Sequence, residues 1–339
     1  MIDKQRCLMI ETAFLGDIIL SSALVQALHN NFPALPLDVI TTPVGATILA
    51  NNPNISRIIV FDKKRHKLRD FFKLLKHIQA TDYAIGFSPH RSTTSARLLK
   101  MGRVPVRVGF SGRRASKLYT HTTEKKKNRF AYLRYLDLLN SYTNGSSHYT
   151  TELFPSEKDT RKAKELLNGK KPIAIAPGSV WNTKRWLAEY YSKLTFLLSE
   201  QGFSPVFIGS PDEQELCADI VRQSGLTNVL NLCGTTTILE AAAIIRQSRL
   251  LICNDSSPLH IANAVNTPVS AFFGPTVREF GFFPYREGDI VFETDIPCRP
   301  CGHHGGKSCP EKNHSCMRSI LPEDVLPEIL KTLKKPSRH

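Results

Sequence analysis

Short runs of apolar, β-branched residues alternate along this chain with stretches whose apolar positions recur at helical spacing. Runs at 7–10, 37–41, 57–61, 83–87 and 106–109 read as strands, with helices between them, for instance at 18–31 and 68–79. A second series begins after residue 170, with strands at 173–176, 204–208, 229–232, 250–253 and 269–273. Strands and helices alternating at this interval predict parallel sheets covered by helices on both faces. Residues 144–156, between the series, are polar and rich in turn formers, as in a linker. The expected fold is α/β, with two Rossmann-like doubly wound domains facing across a cleft. Their bounds are 1–150 and 151–321, followed by a helix and tail over 322–339 expected to pack back on the first domain. The basic stretch 112–127 reads as a long, mobile surface loop, and long loops in compact domains are usually functional.

Composition changes this picture in two ways. With 41% hydrophobic and 22% charged residues among 339, the chain has what two packed cores need. Its apolar runs are strand-sized, short of a bilayer span, and the N-terminus has no long apolar h-region, so a cytoplasmic location is expected. The net charge of +15 is one-sided: residues 1–150 hold 23 Lys and Arg against 9 Asp and Glu, while the remainder is nearly balanced. Such a field attracts phosphates, on nucleic acid, an anionic membrane surface or a phosphorylated substrate. Of eight cysteines, Cys7, Cys217, Cys233 and Cys253 read as small buried hydrophobes. The usage argues against a disulfide framework.

Three strand-to-helix turns carry candidate chemistry. Glu11–Asp17 joins the first strand to the first helix; Gly16 allows a close turn, and Asp17 is either a helix cap or a functional carboxylate. It is no G-x-G-x-x-G fingerprint, which argues against a dehydrogenase. Residues 176–186 follow the first strand of the second series. Ser179 and Thr183 offer hydroxyls, Gly178 exposes backbone amides, and Lys184 and Arg185 offer cations for a diphosphate. The chain's two tryptophans, Trp181 and Trp186, share this loop, which packing alone does not predict. In residues 254–264, Ser256, Ser257 and the helix amides make an anion site, Asp255 suits a sugar hydroxyl, and His260 faces the same helix end. A fourth group, Cys298, Cys301, Cys309 and Cys316 with His303, His304 and His314, has one true CxxC and reads as a structural zinc site or as buried thiols.

Together these motifs resemble the ADP-heptose:lipopolysaccharide heptosyltransferases of glycosyltransferase family 9. The likeness rests on Gly16-Asp17, Pro177-Gly178-Ser179 through Lys184-Arg185-Trp186, Asn254 through His260 and Phe273-Gly274-Pro275-Thr276. The late cysteines, with Cys309-Pro310 and Cys316-Met317, look like the heptosyltransferase II branch. The resemblance implies a GT-B fold and an inverting transfer from ADP-L-glycero-D-manno-heptose with no metal or other cofactor. It makes Asp17 the general base and sets Lys184 on the donor phosphates. Donor-binding positions would be Ser179, Thr183, Glu213, Asp255, Ser256, Ser257 and His260. The acceptor, a Kdo- and heptose-bearing lipid A at the inner-leaflet surface, would meet the basic half through Lys63, Lys64, Arg65, Lys67, His90, Arg91 and Arg97. Arg113, Arg114 and Lys117 would serve the membrane surface. The enzyme would then lie on the cytoplasmic face of the inner membrane, with no nucleic-acid partner. Two departures stand out: Ser256-Ser257 replaces a frequent Thr-Gly, and Ala23 replaces a frequent proline. Rival readings are a GT-B enzyme using another nucleotide sugar, a non-catalytic sugar-binding relative and a basic, zinc-containing nucleic-acid-binding protein.

Overall fold

The structure, a computed structural model, describes residues 5–63, 65, 67–112, 114–143 and 148–334. It divides into two units, Met1–Phe154 and Pro155–His339. In the first, the strands are β1 (Arg6–Glu11), β2 (Leu37–Thr41), β3 (Arg57–Val60), β4 (Tyr83–Ser88), β5 (Val106–Phe110) and β6 (His121–Thr123). They pair in parallel in the order β3-β2-β1-β4-β5-β6. The second unit holds β7 (Ile173–Ala176), β8 (Pro205–Phe207), β9 (Leu230–Asn231), β10 (Leu250–Asn254), β11 (Val269–Phe273) and β12 (Ile290–Glu293). Its order, β12-β11-β10-β7-β8-β9, is the same topology. In each sheet the strand order therefore reverses once, between β1 and β4 and between β7 and β10. Ligands of open parallel sheets bind at the carboxyl ends of the strands flanking such a reversal.

The central strands read as near-continuous apolar runs because helices cover both their faces. β1, β7, β10 and β11 are buried almost end to end. Core residues of the second unit run from Ile173, Ile175 and Ile252 through Trp186, Tyr191 and Phe272 to Val325, Ile329 and Leu333. The last three belong to the helix Pro322–Lys334, whose apolar face thus lies in the second core. Among the described residues no helix is long and apolar enough to cross a membrane.

Three sequence expectations change. The helix anticipated at 18–31 is two, Leu15–Leu20 and Ser22–Asn31. Ser21 and Ser22 donate their hydroxyls back to the carbonyls of Ile18 and Ile19 at 2.8 and 2.7 Å, a competition that interrupts helices. The basic stretch 112–127 is not structureless: it contains a 3-10 turn, Arg114–Leu118, and then β6, which adds a sixth strand. Tyr119 anchors it over Gly109, where a Cβ would come within 2.3 Å of the ring. Gly109→Ala should therefore cost about 1–3 kcal/mol by overpacking, seen as a lower urea midpoint at unchanged slope. Finally, Cys217 and Cys233, expected to be isolated hydrophobes, are joined in a buried disulfide with Cα atoms 6.7 Å apart. They lie 16 positions apart in sequence, a pairing that single-residue context does not reveal.

Candidate functional site

At the reversal point of the first unit, β1 ends on Glu11 and a short loop leads into the helix Leu15–Leu20. Phe14 occupies the cap position, and no side chain caps the helix. Asp17 is therefore not the cap. It sits in the first turn, where the buried Tyr135 hydroxyl donates to its Oδ1 at 2.9 Å. Burial, Asp17 and Glu11 together push the Tyr135 phenol well above its usual range, so it remains a donor. Glu11 is fully buried; its Oε1 accepts from the Ala13 amide at 2.7 Å. Lys63 reaches this loop from the end of β3, its Nζ 3.4 Å from the Thr12 carbonyl.

The other strand at the reversal, β4, delivers His90 and Arg91. The Ser88 hydroxyl donates to the His90 carbonyl at 3.0 Å, and Arg91 Nε is buried without a hydrogen-bond partner among the described residues. Lys125 shares this edge: burial pulls its ammonium below the usual range, against Asp17 and Glu11 and with Arg134 and Arg91. Not all expected acceptor residues converge. Arg65 and Arg97 are exposed, the latter midway along the helix Thr93–Met101. Lys64 and the side chain of Lys67 lie outside the described residues, as does Arg113. Arg114 and Lys117 are exposed on the 3-10 turn.

In the second unit the loops after β7 and β10 are fastened by one residue, Asn254, which is fully buried at the end of β10. Its Nδ2 donates to the Pro177 and Gly178 carbonyls at 2.7 and 3.3 Å. Its Oδ1 accepts from the Trp186 amide at 2.9 Å and from the Tyr191 hydroxyl at 3.1 Å. Both ends of the loop are thus tied to one amide. Trp186 needs no functional explanation: it is buried, stacked on Phe272 at 4.0 Å between ring centroids, and bonded through Nε1 to the Ile320 carbonyl. Trp181 is only half-buried.

Lys184 Nζ lies 2.5 Å from Asp255 Oδ2, which also accepts from the Thr276 hydroxyl at 2.6 Å. The carboxylate expected to meet a sugar thus holds the cation expected to meet phosphate. Glu213 belongs to the same edge: its carboxylate accepts from the Ser210 amide at 2.7 Å and fills the space beside Gly178, where a Cβ would come within 1.7 Å of it. Ser256 precedes the helix Ser257–Ala264 in extended conformation, and the buried His260 lies in that helix. Ser179 is buried, and its carbonyl accepts from Arg185 Nε at 2.8 Å.

Thr183 is also tied from behind: its hydroxyl accepts from the Gly306 amide at 2.7 Å, and its carbonyl meets His314 Nε2 at 2.9 Å. Gly306 and His314 lie in the cysteine-bearing segment, which therefore backs the Lys184 loop. Burial and the neighbouring Cys301, Cys309 and Cys298 push the Cys316 thiol up to about 11. Among the described residues no group of three or more His, Cys, Asp or Glu is placed to hold a metal ion.

Two sheets of this topology, each with polar loops at its reversal point, define the GT-B class of fold. The sequence profile of glycosyltransferase family 9 (heptosyltransferase) matches residues 71–313, and the chain belongs to that family as a glycosyltransferase. It is 28% identical over 322 residues to lipooligosaccharide heptosyltransferase 2 of Campylobacter jejuni, covering 94% of this chain and 96% of that one. Lipopolysaccharide heptosyltransferase 3 of Escherichia coli is 27% identical, covering 82% and 86%. Among solved structures, a family 9 glycosyltransferase from Veillonella parvula superposes with a TM-score of 0.88 at 24% identity, covering 99% of both chains. The ADP-heptose lipopolysaccharide heptosyltransferase II of E. coli gives 0.80 at 23% identity, covering 97% and 98%.

Proposed function

We propose that this glycosyltransferase moves heptose, with inversion, from ADP-L-glycero-D-manno-heptose to the inner core of lipopolysaccharide, adding the second heptose. The observation that carries the reading is the Lys184–Asp255 contact at the second reversal point, where a cation stands ready beside loops suited to a diphosphate. The likeness to heptosyltransferases 2 supports the choice of donor and position; the likeness to a heptosyltransferase 3 leaves another core heptose as the second reading.

In this reading Asp17 takes the proton of the acceptor hydroxyl as its oxygen attacks the anomeric carbon and the bond to ADP breaks on the opposite face. One base and a stabilised leaving group suffice for such a displacement. Lys184 offsets the charge that grows on the departing diphosphate. Ser179, Glu213, Asp255, Ser256, Ser257 and His260 complete the donor side, while Thr183 acts by shaping the loop. Lys63, His90 and Arg91 meet the anionic groups of the Kdo- and heptose-bearing lipid A, together with Lys64, Arg65, Lys67 and Arg97. The +14 of the first 150 residues suits peripheral contact with the cytoplasmic face of an anionic inner membrane.

Thermal stabilisation by ADP, UDP, GDP, NAD and ADP-heptose, with EDTA throughout, tests the donor. ADP should raise the midpoint and ADP-heptose should raise it further, since a ligand at a hundred times its Kd adds about 2.7 kcal/mol. A preference for UDP, or no response to ADP, would move the assignment to another nucleotide sugar.

A further inference from the structure

We propose that the helix Lys67–Ala80, which follows β3, is a membrane-docking element whose outer face lies on an anionic phospholipid surface. The inference rests on the reading of a lipid-borne acceptor, but its test uses neither donor nor acceptor, so the two can fail separately.

One side of this helix is accounted for by the first core: Leu74, Leu75 and Ile78 are buried there, with Phe71 packed against them. Leu68 and Phe72 are not. They are 74% and 57% exposed, one turn apart. Side chains at i and i+4 lie above one another on a helix, so the pair forms a single apolar ridge in water. An exposed apolar residue on its own needs no explanation, whereas an adjoining set marks an interaction surface. The set extends beyond the ridge. Val60, on the edge strand β3, is 49% exposed, and a groove of about 450 Å³ between β3 and the helix has Ile58, Ile59 and Leu74 in its walls.

Charge decides what covers this surface. Arg69, Lys73 and Lys76 are exposed beside the ridge, and the first two also border the groove. The single acid of the helix, Asp70, has a side chain only 16% exposed, with Arg69 Nε 3.3 Å from its Oδ1. The outer face is therefore apolar along one side and cationic along the other. A helix of that kind lies in a bilayer interface, with its apolar side chains below the headgroups and its cations level with the lipid phosphates. A two-fold contact between copies would bring two sets of these cations together, which like-charge repulsion opposes. A nucleic-acid backbone would satisfy the cations and leave Leu68 and Phe72 in water. The turn Arg114–Leu118 has exposed cations, Arg114 and Lys117, but no exposed large apolar side chain, so it adds attraction without insertion.

The test is cosedimentation of the whole protein with vesicles of phosphatidylglycerol and phosphatidylethanolamine, and with vesicles of phosphatidylcholine alone. Wild type should prefer the anionic vesicles by at least about tenfold, since each Lys or Arg near such a surface is worth roughly fivefold. Leu68→Gln with Phe72→Gln should weaken that binding by about tenfold or more, at an unchanged urea midpoint because both side chains already face water. Arg69→Gln with Lys73→Gln should weaken it by about 10–30-fold and flatten its dependence on salt. Both variants should respond to ADP as wild type does. Where the glutamines disturb the fold, Leu68→Ala with Phe72→Ala reads the same loss on a better helix former. Wild type that ignores anionic vesicles would overturn the proposal, as would apolar-ridge variants that bind them like wild type. A wild-type dimer that dissociates in Leu68→Gln with Phe72→Gln would give the face to a second copy and overturn it too. Binding to duplex DNA that needs Arg69 and Lys73 but not the ridge, without vesicle binding, would do the same. None of these outcomes alters the donor assignment.

Discussion

Asp17→Asn should lower turnover by about 10²–10⁴, the scale of a lost general base, while leaving ADP affinity within a few-fold. The structure makes this a clean substitution. Asp17 does not cap its helix, so no backbone amide loses a partner. The Tyr135 hydroxyl can still donate to the amide oxygen of Asn, and the geometry at 2.9 Å survives. What disappears is the capacity to take a proton. The measurement is kcat for heptose transfer beside ADP affinity by calorimetry. Turnover within about threefold of wild type would reduce Asp17 to a structural partner of Tyr135.

Lys184→Ala should weaken ADP and ADP-heptose alike, by about 10²-fold, and lower kcat as well, since removing one electrostatic donor costs on the order of 10²–10³. It should also destabilise, because Asp255 is mostly buried and would lose its cation. Breaking a buried pair from one side costs about 3–5 kcal/mol, less here since both groups keep some solvent. The double variant Lys184→Ala with Asp255→Asn separates the effects. Stability should recover, because the neutral amide that replaces the carboxylate leaves no unpaired charge; affinity should not. Unchanged ADP binding in the single variant would remove the phosphate role.

Much of the fold was legible because the signal was hydrophobic burial. Strands such as β1, β7, β10 and β11 are apolar almost throughout and could be read directly. β6 and β12 were harder to read: one is three polar residues, largely exposed, and the other is a short run, Ile290–Glu293, that is only half-buried at the sheet edge. The turns were legible because small and polar residues interrupt apolar strands at the sheet edge. Contacts made across the sequence were not. Tyr135 meets Asp17 over 118 residues, Thr276 meets Asp255 over 21 and Gly306 meets Thr183 over 123. Lys125 reads as one of three consecutive lysines, a pattern that ordinarily means a solvated surface. Glu11 at the end of an apolar strand was one available hint, since a buried acid has to be explained by its surroundings.

The amide of Asn254 divides the β7 loop into frame and lining. Three of its four hydrogen bonds grip the loop at Pro177, Gly178 and Trp186, the fourth going to Tyr191, and residues 179–185 run between those ends, braced where Thr183 meets Gly306 and His314. Exposed side chains on that span, Val180 among them, can be exchanged without moving those anchors, so the path of the chain and part of the chemistry it presents are separately heritable.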